Sequence, residues 1–507
     1  MRGGLAGRLA LTAALLVPAS ACTVGPDYVR PSMISPDSYK ELDGWKIARP
    51  ADALARGLWW EFFGDPQLNA LEARVSISNQ NLAVAEAQYR QARALVRAAR
   101  AAYFPTVTLG LGYTRSRQST TFSVGSGGTS SAGGASSAGG ISGFSGQPRS
   151  DFEVALDFSW ELDVWGRVRR AVESNRASAQ ASAGDLEAAR LSFQAELAQD
   201  YFQLRTVDAQ KQLLDETISA FEKFLRLTQD RFASGVASQA DVVQAETQLK
   251  TTQAQAIDVG VQRAQLEHAI AILMGQAPSS FSLSPTPLVA TPPAIPIGVP
   301  SELLERRPDI AAAERRVAAA NAQIGVAVAA FYPTITLNAS SGLEGSNLAK
   351  WFAAANRFWS VGPGISQTVF DGGLRRAQTD AARAAYNATV AAYRQTVLAA
   401  FQGVEDNLVA LRILEEENAV QDEAVQAARK SVDLTTNQYK AGTVSYLNVI
   451  TAQTIALTDE ITAIQIRGRR MAAAVLLVQA LGGGWTAAEL PSSADATKRQ
   501  DPAPRAP

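Results

Sequence analysis

The stretches RFASGVASQADV (231–242) and QYKAGTVSYLNV (438–449) resemble each other and lie 207 positions apart in the chain. Each contains a glycine, Gly235 or Gly442, between two long, alanine-rich segments whose apolar residues recur every three or four positions. A glycine just past a helix, followed by a serine and a new apolar period, predicts a left-handed C-cap and then a new N-cap. We therefore predict two sharp helix-to-helix turns that form one end of a long helical structure.

The same offset carries Met274-Gly275 onto Leu481-Gly482, which indicates an internal duplication. A proline-rich connector separates the two copies. The chain accordingly divides into a signal peptide (1–21), an N-terminal extended segment (22–58), repeat 1 (59–275), the proline-rich connector (276–300), repeat 2 (301–483) and a tail rich in Pro, Ala and Ser that is predicted to be disordered (484–507).

The composition argues against several classes of function. With 47 Lys and Arg against 48 Asp and Glu, the chain predicts no basic surface for nucleic acid. It has one cysteine, Cys22, and one histidine, His268, which argues against a disulfide framework, a Cys/His metal site and a Ser-His-Asp triad. The Gly/Ser-rich run 125–146 lacks the Lys-Ser/Thr of a phosphate-binding loop. We therefore predict no enzyme, no cofactor and no metal site.

The N-terminus has the pattern of a secretory signal peptide. Two arginines precede a short apolar run (9–17), which is too short for a transmembrane helix, and small residues (19–21) follow. These residues fit ordinary signal peptidase, but they also precede Cys22 as in a bacterial lipobox, although Ala19 stands where leucine is usual. We favour lipidation of Cys22. By similarity to bacterial lipoproteins, Thr23 at the next position favours sorting to the outer membrane.

Four stretches change from the helical period to the alternating period of a β-strand. In the second of them, apolar residues from Phe152 to Trp160 alternate with acidic and polar residues, so that one face is apolar and the other polar. The predicted strands lie at 103–115, 151–162, 331–340 and 359–370, and a long Gly/Ser-rich loop (116–149) joins the first two.

Two-faced strands fit either a soluble sandwich, in which two apolar faces meet, or an outer-membrane barrel, whose apolar face contacts lipid. Secretion and the tryptophans Trp160, Trp351 and Trp359 near the strands favour the barrel. Four strands cannot close a barrel, and open edges are not tolerated in hydrocarbon, so the chain must pool strands with copies of itself. A dimer would fill its own lumen with side chains, whereas a trimer leaves room for a channel, so we favour three copies.

The predicted helices are too long for an ordinary globular domain. A first helix is predicted to start at Asp65-Pro66 and to run to about Ala102. A helix from Arg167 almost to Gly235 would have roughly 65 residues and a length of roughly 100 Å, and repeat 2 has its counterpart. Neither contains a run of apolar residues long enough to span a bilayer. An ordinary coiled coil is one interpretation; attachment to both ends of the lipid-facing hairpins favours a helical tube.

Several segments together resemble the TolC/OprM-type outer-membrane efflux channels, in their lipoprotein branch. These segments are CTVGPDYVRP (22–31), WWEFFGDPQLNALE (59–72), the twin YFPT and FYPT stretches (103–106 and 331–334), LLERRPDIAAAERR (303–316) and the two glycine turns. The resemblance covers almost the whole mature chain. It implies a membrane α+β fold: a homotrimer with a twelve-stranded outer-membrane β-barrel, four strands per chain, and a twelve-helix α-barrel through the periplasm.

The resemblance also implies the location, the partners and the function. The N-terminal segment, the connector and the end of the chain would form an equatorial belt, and the protein would lie in the outer membrane with a lipid anchor and a long periplasmic extension. It would be the passive exit duct of a tripartite efflux pump, opened at its periplasmic tip by an adaptor (membrane-fusion) protein that links it to an inner-membrane pump of the RND type.

Two other functions were weighed against the efflux duct. A conduit for type I protein secretion with an ATP-driven exporter is the nearest alternative, but the lipoprotein start and the RRPDI segment resemble the drug- or metal-efflux branch more. A purely structural coiled-coil protein would leave the signal peptide and the two-faced strands unexplained.

The resemblance places a gate at the second turn. Leu447, five positions after Gly442, resembles the apolar constriction residue of the family. The family often has an aspartate nine positions after the glycine, where this chain has Thr451, so three carboxylates are missing there in a trimer. An apolar ring gates by dewetting and a charged ring by electrostatics, so we expect an apolar gate.

Other residues of the two turns complete the predicted site. Asp241 is the nearest remaining acid in the first turn, and Tyr439 and Lys440 are predicted to latch neighbouring helices by hydrogen bonds or ion pairs. Packing within a helix pair stays open as the role of Leu447, and a solvated surface acid as that of Asp241. The turns that would dock the adaptor are represented by Arg231, Gly235, Val236, Gly442 and Thr443.

Overall fold

The computed structural model describes residues 23–33, 36, 38–41, 58–117, 148–293, 295, 300, 303–492 and 495. Its helices are α1 (Pro66–Ser78), α2 (Gln80–Ala101), α3 (Arg167–Ala233), α4 (Gln239–Leu273), the single turn α5 (Leu303–Arg306), α6 (Pro308–Ala329), α7 (Leu374–Lys440) and α8 (Tyr446–Ala480). Its strands are β1 (Thr106–Ser116), β2 (Arg149–Glu161), β3 (Thr334–Gly345) and β4 (Arg357–Ser366).

The chain divides into two units, which we call the sheet unit and the helical unit. The sheet unit consists of Met1–Asp27, Arg97–Glu173 and Ala322–Arg383. The helical unit consists of Tyr28–Val96, Ser174–Asn321 and Ala384–Pro507. Among the helices in the described part of the chain, none combines the length and the hydropathy needed to cross a membrane.

The four strands form one antiparallel sheet in the order β1-β2-β3-β4. The register aligns like with like, because Val107, Phe158, Ala339 and Val361 lie side by side across the sheet. Side chains alternate between the two faces of a strand, so the adjacent row, in which Asp157 lies, belongs to the other, polar face. The predicted two-faced strands are therefore confirmed.

Within the part of the chain that the structure describes, the apolar face of the sheet is left uncovered. Its exposed members include Val107, Leu109, Leu111, Tyr113, Leu156, Trp359, Val361 and Ile365. Within the described residues, β1 pairs only with β2 and β4 pairs only with β3, so each outer strand keeps a free edge. A face and two edges of this kind need a further surface to contact.

Both predicted turns end a 67-residue helix in the same way. Gly235 and Gly442 have φ values of 74° and 79°, a left-handed conformation that favours glycine. The amide of each glycine donates to the carbonyl three residues earlier, and the next amide to the carbonyl five residues earlier, which is a Schellman motif. Gly275 and Gly482 close α4 and α8 with the same pair of bonds.

Serine occupies the N-cap position after both turns, as predicted. Ser238 caps α4 with a full capping box, in which its hydroxyl accepts from the Asp241 amide while the Asp241 carboxylate accepts from the Ser238 amide. Ser445 is the N-cap of α8, but its side chain accepts no capping hydrogen bond. The reciprocal bond of a capping box is also missing there, because Asn448 stands in the place of the acid.

Each of the two longest helices follows a strand, and an aspartate lies just before its first turn. Asp163 accepts hydrogen bonds from the amides of Val168 and Arg169, at 2.8 and 2.9 Å, at the start of α3. Asp371 occupies the matching place before α7 and pairs with Arg375 at 2.6 Å. Carboxylates are favoured at these ends because four backbone amides and the helix dipole point at them.

Two junctions in the helical unit join the end of one helix to the start of another. At the first, the Asn79 side chain donates to the Leu273 carbonyl at 2.8 Å and accepts from the Leu82 amide at 3.1 Å. It therefore caps the end of α4 and the start of α2 at once. The predicted continuous helix to Ala102 is wrong at this point, because Asn79 adopts an extended backbone and separates α1 from α2.

The second junction is built by the RRPD segment. Arg307 donates to the Ala480 carbonyl at 2.8 Å and pairs with Asp309 at 2.7 Å, while Pro308 begins α6. Proline is favoured at the first helical position because it has no amide to satisfy. A side chain on Gly482 would overlap the Arg306 backbone, so the close approach of the two helix ends requires glycine.

The start of α1 follows the prediction, whereas the first residues of the tail, directly after repeat 2, do not. Asp65 caps α1 through the amides of Gln67 and Leu68, and it also accepts from the Tyr201 hydroxyl at 2.6 Å. Residues 484–492, predicted to be disordered, are placed: Trp485 is buried and a short 3-10 helix follows. The prediction missed that an aromatic anchor follows the glycines. The rest of the tail lies outside the described residues.

The core of the helical unit contains a carboxyl group that contacts no donor. Glu72 on α1 is 0% exposed, and neither carboxylate oxygen has a hydrogen-bond partner among the described residues. Burial raises the pKa of Glu72 well above its ordinary value, so the neutral form is favoured.

This burial predicts a pH-dependent stability. Because the folded-state pKa is raised, the stability that Glu72 contributes is present below its unfolded pKa and is lost as pH rises towards the folded value. We expect Glu72→Met to raise the melting temperature at neutral pH, with a gain that grows as pH rises from about 4.5. The exposed Glu61→Met is the control, and thermal melts across pH decide. A gain that does not change with pH would contradict this account.

Candidate gate at the two helix turns

The two turns of the helical unit contact each other through Arg231. Its guanidinium donates to the Lys440 carbonyl at 3.1 Å, at the end of α7. The same group lies over the Tyr439 ring, 4.8 Å from the ring centroid, in cation–π geometry. Arg231 comes from the last turn of α3, so this one side chain ties the first turn to the second.

An aromatic cluster supports this contact from the other side. The Tyr439 and Tyr446 ring centroids are 5.4 Å apart, and Phe224 stacks on Tyr446 at 6.0 Å. Val449 and Ala245 complete a small buried core at the tip. Burial of Tyr446 raises the pKa of its hydroxyl, so this ring stays neutral at any physiological pH.

The predicted latch residues are brought together, but by other contacts than expected. The buried Tyr439 hydroxyl has no hydrogen-bond partner among the described residues, and the ring binds through its face. Lys440 takes part in the cross-turn contact through its backbone carbonyl. The structure of one chain does not test whether Tyr439 and Lys440 latch helices of neighbouring copies, so that role stays a prediction.

Asp241 and Thr451 both make local helical contacts. Asp241 is the acid of the capping box that begins α4, which gives it a structural role whatever else it does. Thr451 donates its hydroxyl to the Leu447 carbonyl at 2.9 Å, one turn earlier in α8. Neither contact tests the predicted role of these residues in a gate.

Leu447 is largely exposed within one chain. Its side chain is 57% exposed in the first turn of α8, between the buried residues Tyr446 and Val449. Phe232, Val236 and Val243 of the first turn are exposed as well. The tip therefore has an exposed apolar surface, and the role of Leu447 in a gate stays a prediction.

The predicted docking turns are at the surface. Gly235, Val236, Gly442 and Thr443 are exposed, and Thr443 donates to the Gln438 carbonyl at 3.0 Å. Arg231, predicted as a docking residue, is partly buried against the second turn. Its cross-turn contact was missed because a sequence does not show which residues of two distant turns meet. The aromatic residues Tyr439 and Tyr446, seven positions apart across the turn, were the available signal.

Cys22 and most of the long Gly/Ser-rich loop lie outside the described residues, so the structure does not test them.

The sheet and the turns together define the class of the protein. A two-faced sheet with an uncovered apolar face, and paired helical turns at the ends of 67-residue helices, are the features of an outer-membrane channel.

Comparisons with known proteins agree with this class. The model of the outer membrane efflux protein family matches residues 73–276 and 299–483. The toluene efflux pump outer membrane protein TtgC of Pseudomonas putida is 31% identical over 479 residues, or 94% of this chain and 95% of that protein. The pyoverdine export outer membrane protein OpmQ of Pseudomonas aeruginosa is 30% identical over 476 residues, or 94% and 96%. The structure of the outer-membrane channel OprN matches with a TM-score of 0.82 at 31% identity, covering 92% of this chain and 100% of that one.

The chain belongs to the outer membrane efflux protein family. It is an outer-membrane channel of an efflux system, a passive conduit and not an enzyme. The similarity to efflux channels supports the predicted exit duct and gives no support to the type I secretion alternative.

The Arg231 contact predicts a measurable change in the stability of the tip. Arg231→Ala removes the cation–π contact and one hydrogen bond, together worth about 1–2 kcal/mol. We expect amide hydrogen exchange in residues 231–242 and 438–449 to become roughly tenfold faster, while the cores of α3 and α7 do not change. Arg226→Ala, an exposed arginine on the same helix, is the control. Equal exchange in both variants would show that Arg231 does not hold the turns together.

Proposed function

We propose that three copies of the chain assemble into the channel. The observation that carries this is the four-stranded sheet with two free edges and an uncovered apolar face. Free edges in hydrocarbon leave backbone groups unsatisfied, so the sheet must continue into further copies. Three copies give a twelve-stranded outer-membrane β-barrel with an open lumen, and twelve long helical segments give a periplasmic α-barrel, as the family resemblance implies.

Within that assembly, we propose that the polar face lines the lumen and the apolar face contacts lipid. The tryptophan Trp359, exposed on the apolar face, suits the membrane interface. Cys22 carries a covalent lipid, which adds to membrane affinity at about 0.8 kcal/mol per buried CH₂. An adaptor protein docks on the exposed turns around Gly235 and Gly442 and links the channel to an inner-membrane pump of the RND type.

Mass measurement tests the assembly and the lipid together. Native mass spectrometry of the detergent-extracted protein should give a trimer, because closure of the sheet needs additional strands. Intact mass of the denatured chain should show Cys22 as the modified N-terminal residue. A monomer or dimer with intact channel activity would contradict the trimer. An unmodified Cys22 would refute lipidation and leave the trimer standing.

The gate is proposed to be a ring of Leu447 side chains from the three copies. The exposure of Leu447 at the tip supports this, because an apolar ring of this kind closes a pore by dewetting. Arg231 would hold each second turn in the closed arrangement, and the adaptor would open it by engaging the turns.

Conductance measurements test the gate. Leu447→Gly should raise the single-channel conductance and let large antibiotics enter, because the apolar constriction is removed. Thr451→Asp should add cation preference and sensitivity to block by divalent ions. Ile455→Gly, an exposed residue two turns further along α8, controls for the cost of glycine in the helix. Unchanged conductance in the first two variants, in an assembled trimer, would place the constriction elsewhere.

A further inference from the structure

The helical unit contains a cavity of about 400 Å³ that the channel function does not use. Two tryptophans, Trp59 and Trp485, and the side chain of Leu191 give it an apolar wall. Glu187, Arg190 and Glu489 give it a charged side. Ligand cavities of this size and of this mixed lining hold drug-sized molecules.

The two indoles are buried donors with no acceptor. Trp59 is 1% exposed and Trp485 is 7% exposed, and neither indole N–H finds an acceptor among the residues that the structure describes. A side chain added at Gly483, which lines the cavity, would bring its Cβ to 3.2 Å from Trp59 Cδ1, the ring atom next to the N–H. The N–H edge of Trp59 therefore lies beside the cavity. Buried donors are nearly always satisfied in native proteins, so the Trp59 donor calls for an acceptor inside the cavity.

The backbone around the cavity is shaped to keep it open. Gly483 has φ of 58°, and a side chain there would overlap Leu191 as well as approach Trp59. Glycine at this position thus keeps side-chain atoms away from the Trp59 indole. The loop that carries Trp485 follows directly from this glycine.

The charged side of the cavity favours a cation. Arg190 donates to both Glu187 oxygens, at 2.9 and 2.7 Å, so these two charges offset each other. Glu489 is a second carboxylate close by. Burial raises the pKa of Glu187, and the negative charge of Glu489 raises it further. The surplus negative charge would be offset by an ammonium group on a ligand.

We propose that this cavity binds an amphiphilic organic cation that carries an acceptor oxygen. Its ring system would pack on the indoles and Leu191, its oxygen would accept from the Trp59 N–H, and its ammonium would lie near Glu489 and Glu187. An aromatic wall also favours a cation through the ring faces. This site is separate from the gate and does not depend on the proposed trimer or its gate.

Propranolol is a suitable probe, because it combines a naphthalene ring, ether and hydroxyl oxygens, and an ammonium group. Titration of the purified, assembled protein in detergent, followed by calorimetry and tryptophan fluorescence, should show saturable binding. Naphthoxyacetic acid has the same ring with a negative charge, and we expect it to bind far more weakly. The melting temperature should rise with propranolol because the ligand binds the folded form.

Two variants and two matched controls test the assignment. Trp59→Phe keeps an aromatic ring and removes the donor beside the cavity, and it should raise the Kd by up to about tenfold. Glu489→Gln, at an exposed position that is safe for folding, should weaken binding several-fold and remove much of its salt dependence. The controls are Trp359→Phe in the sheet and Glu246→Gln on an exposed face of α4. Both should bind like the parent protein.

Three outcomes would overturn the proposal. Non-saturable uptake that is the same in all variants would mean that the probe only partitions into detergent. Equal binding of the naphthoxyacetate anion would exclude recognition of the cation. No binding of propranolol at millimolar concentration would mean that the indole donors are satisfied by water alone.

Discussion

The points at which the two 67-residue helices end depend on hydrogen-bond partners for their last carbonyl groups. Four carbonyls at each C-terminus have no partner within the helix. In the four longest helices a left-handed glycine closes the end with a Schellman pair, at Gly235, Gly275, Gly442 and Gly482. At two of these ends, a side chain that precedes another helix donates a further hydrogen bond, from Asn79 before α2 in one case and from Arg307 before α6 in the other. The lengths and endpoints of the helices, and therefore the position of the tip, follow from these closures.

The sheet differs from the helices, because the backbone groups on its two outer edges have no partner strand among the described residues. A hairpin from each repeat pairs into four strands, and the register sets most apolar side chains on one face. Nothing in the described chain covers that face or pairs with the outer edges of β1 and β4. The ends of the long helices are thus completed within the described chain, whereas the sheet is not. This difference supports the proposal that the sheet continues into further copies of the chain.

Sequence reasoning succeeded where a local rule decides the structure. Glycine at a left-handed position, aspartate before a helix and alternation in a strand each have one favoured meaning, so Gly235, Asp65 and β2 were predictable. It failed where the partner is distant in sequence. The break at Asn79 depends on the end of α4 almost two hundred residues later, and Trp485 anchors a segment whose composition alone favours disorder. Cross-turn contact by Arg231 is of the same kind, because its partner belongs to the other repeat.

The duplication explains why one turn anchors the other. At the 207-residue offset, Arg231 corresponds to Gln438 and Asp241 to Asn448, so the two turns share a backbone but differ in charge. Phe232 and Tyr439 are equivalent at this offset, so both turns keep an aromatic ring there. Only the first turn has the arginine and the capping box, and its arginine contacts the ring of Tyr439 in the second turn. α8 starts without a side-chain cap, and its first residue, Tyr446, packs on the Tyr439 ring that Arg231 contacts. The first turn of α8, in which Leu447 lies, is thus connected to the first glycine turn through Tyr439.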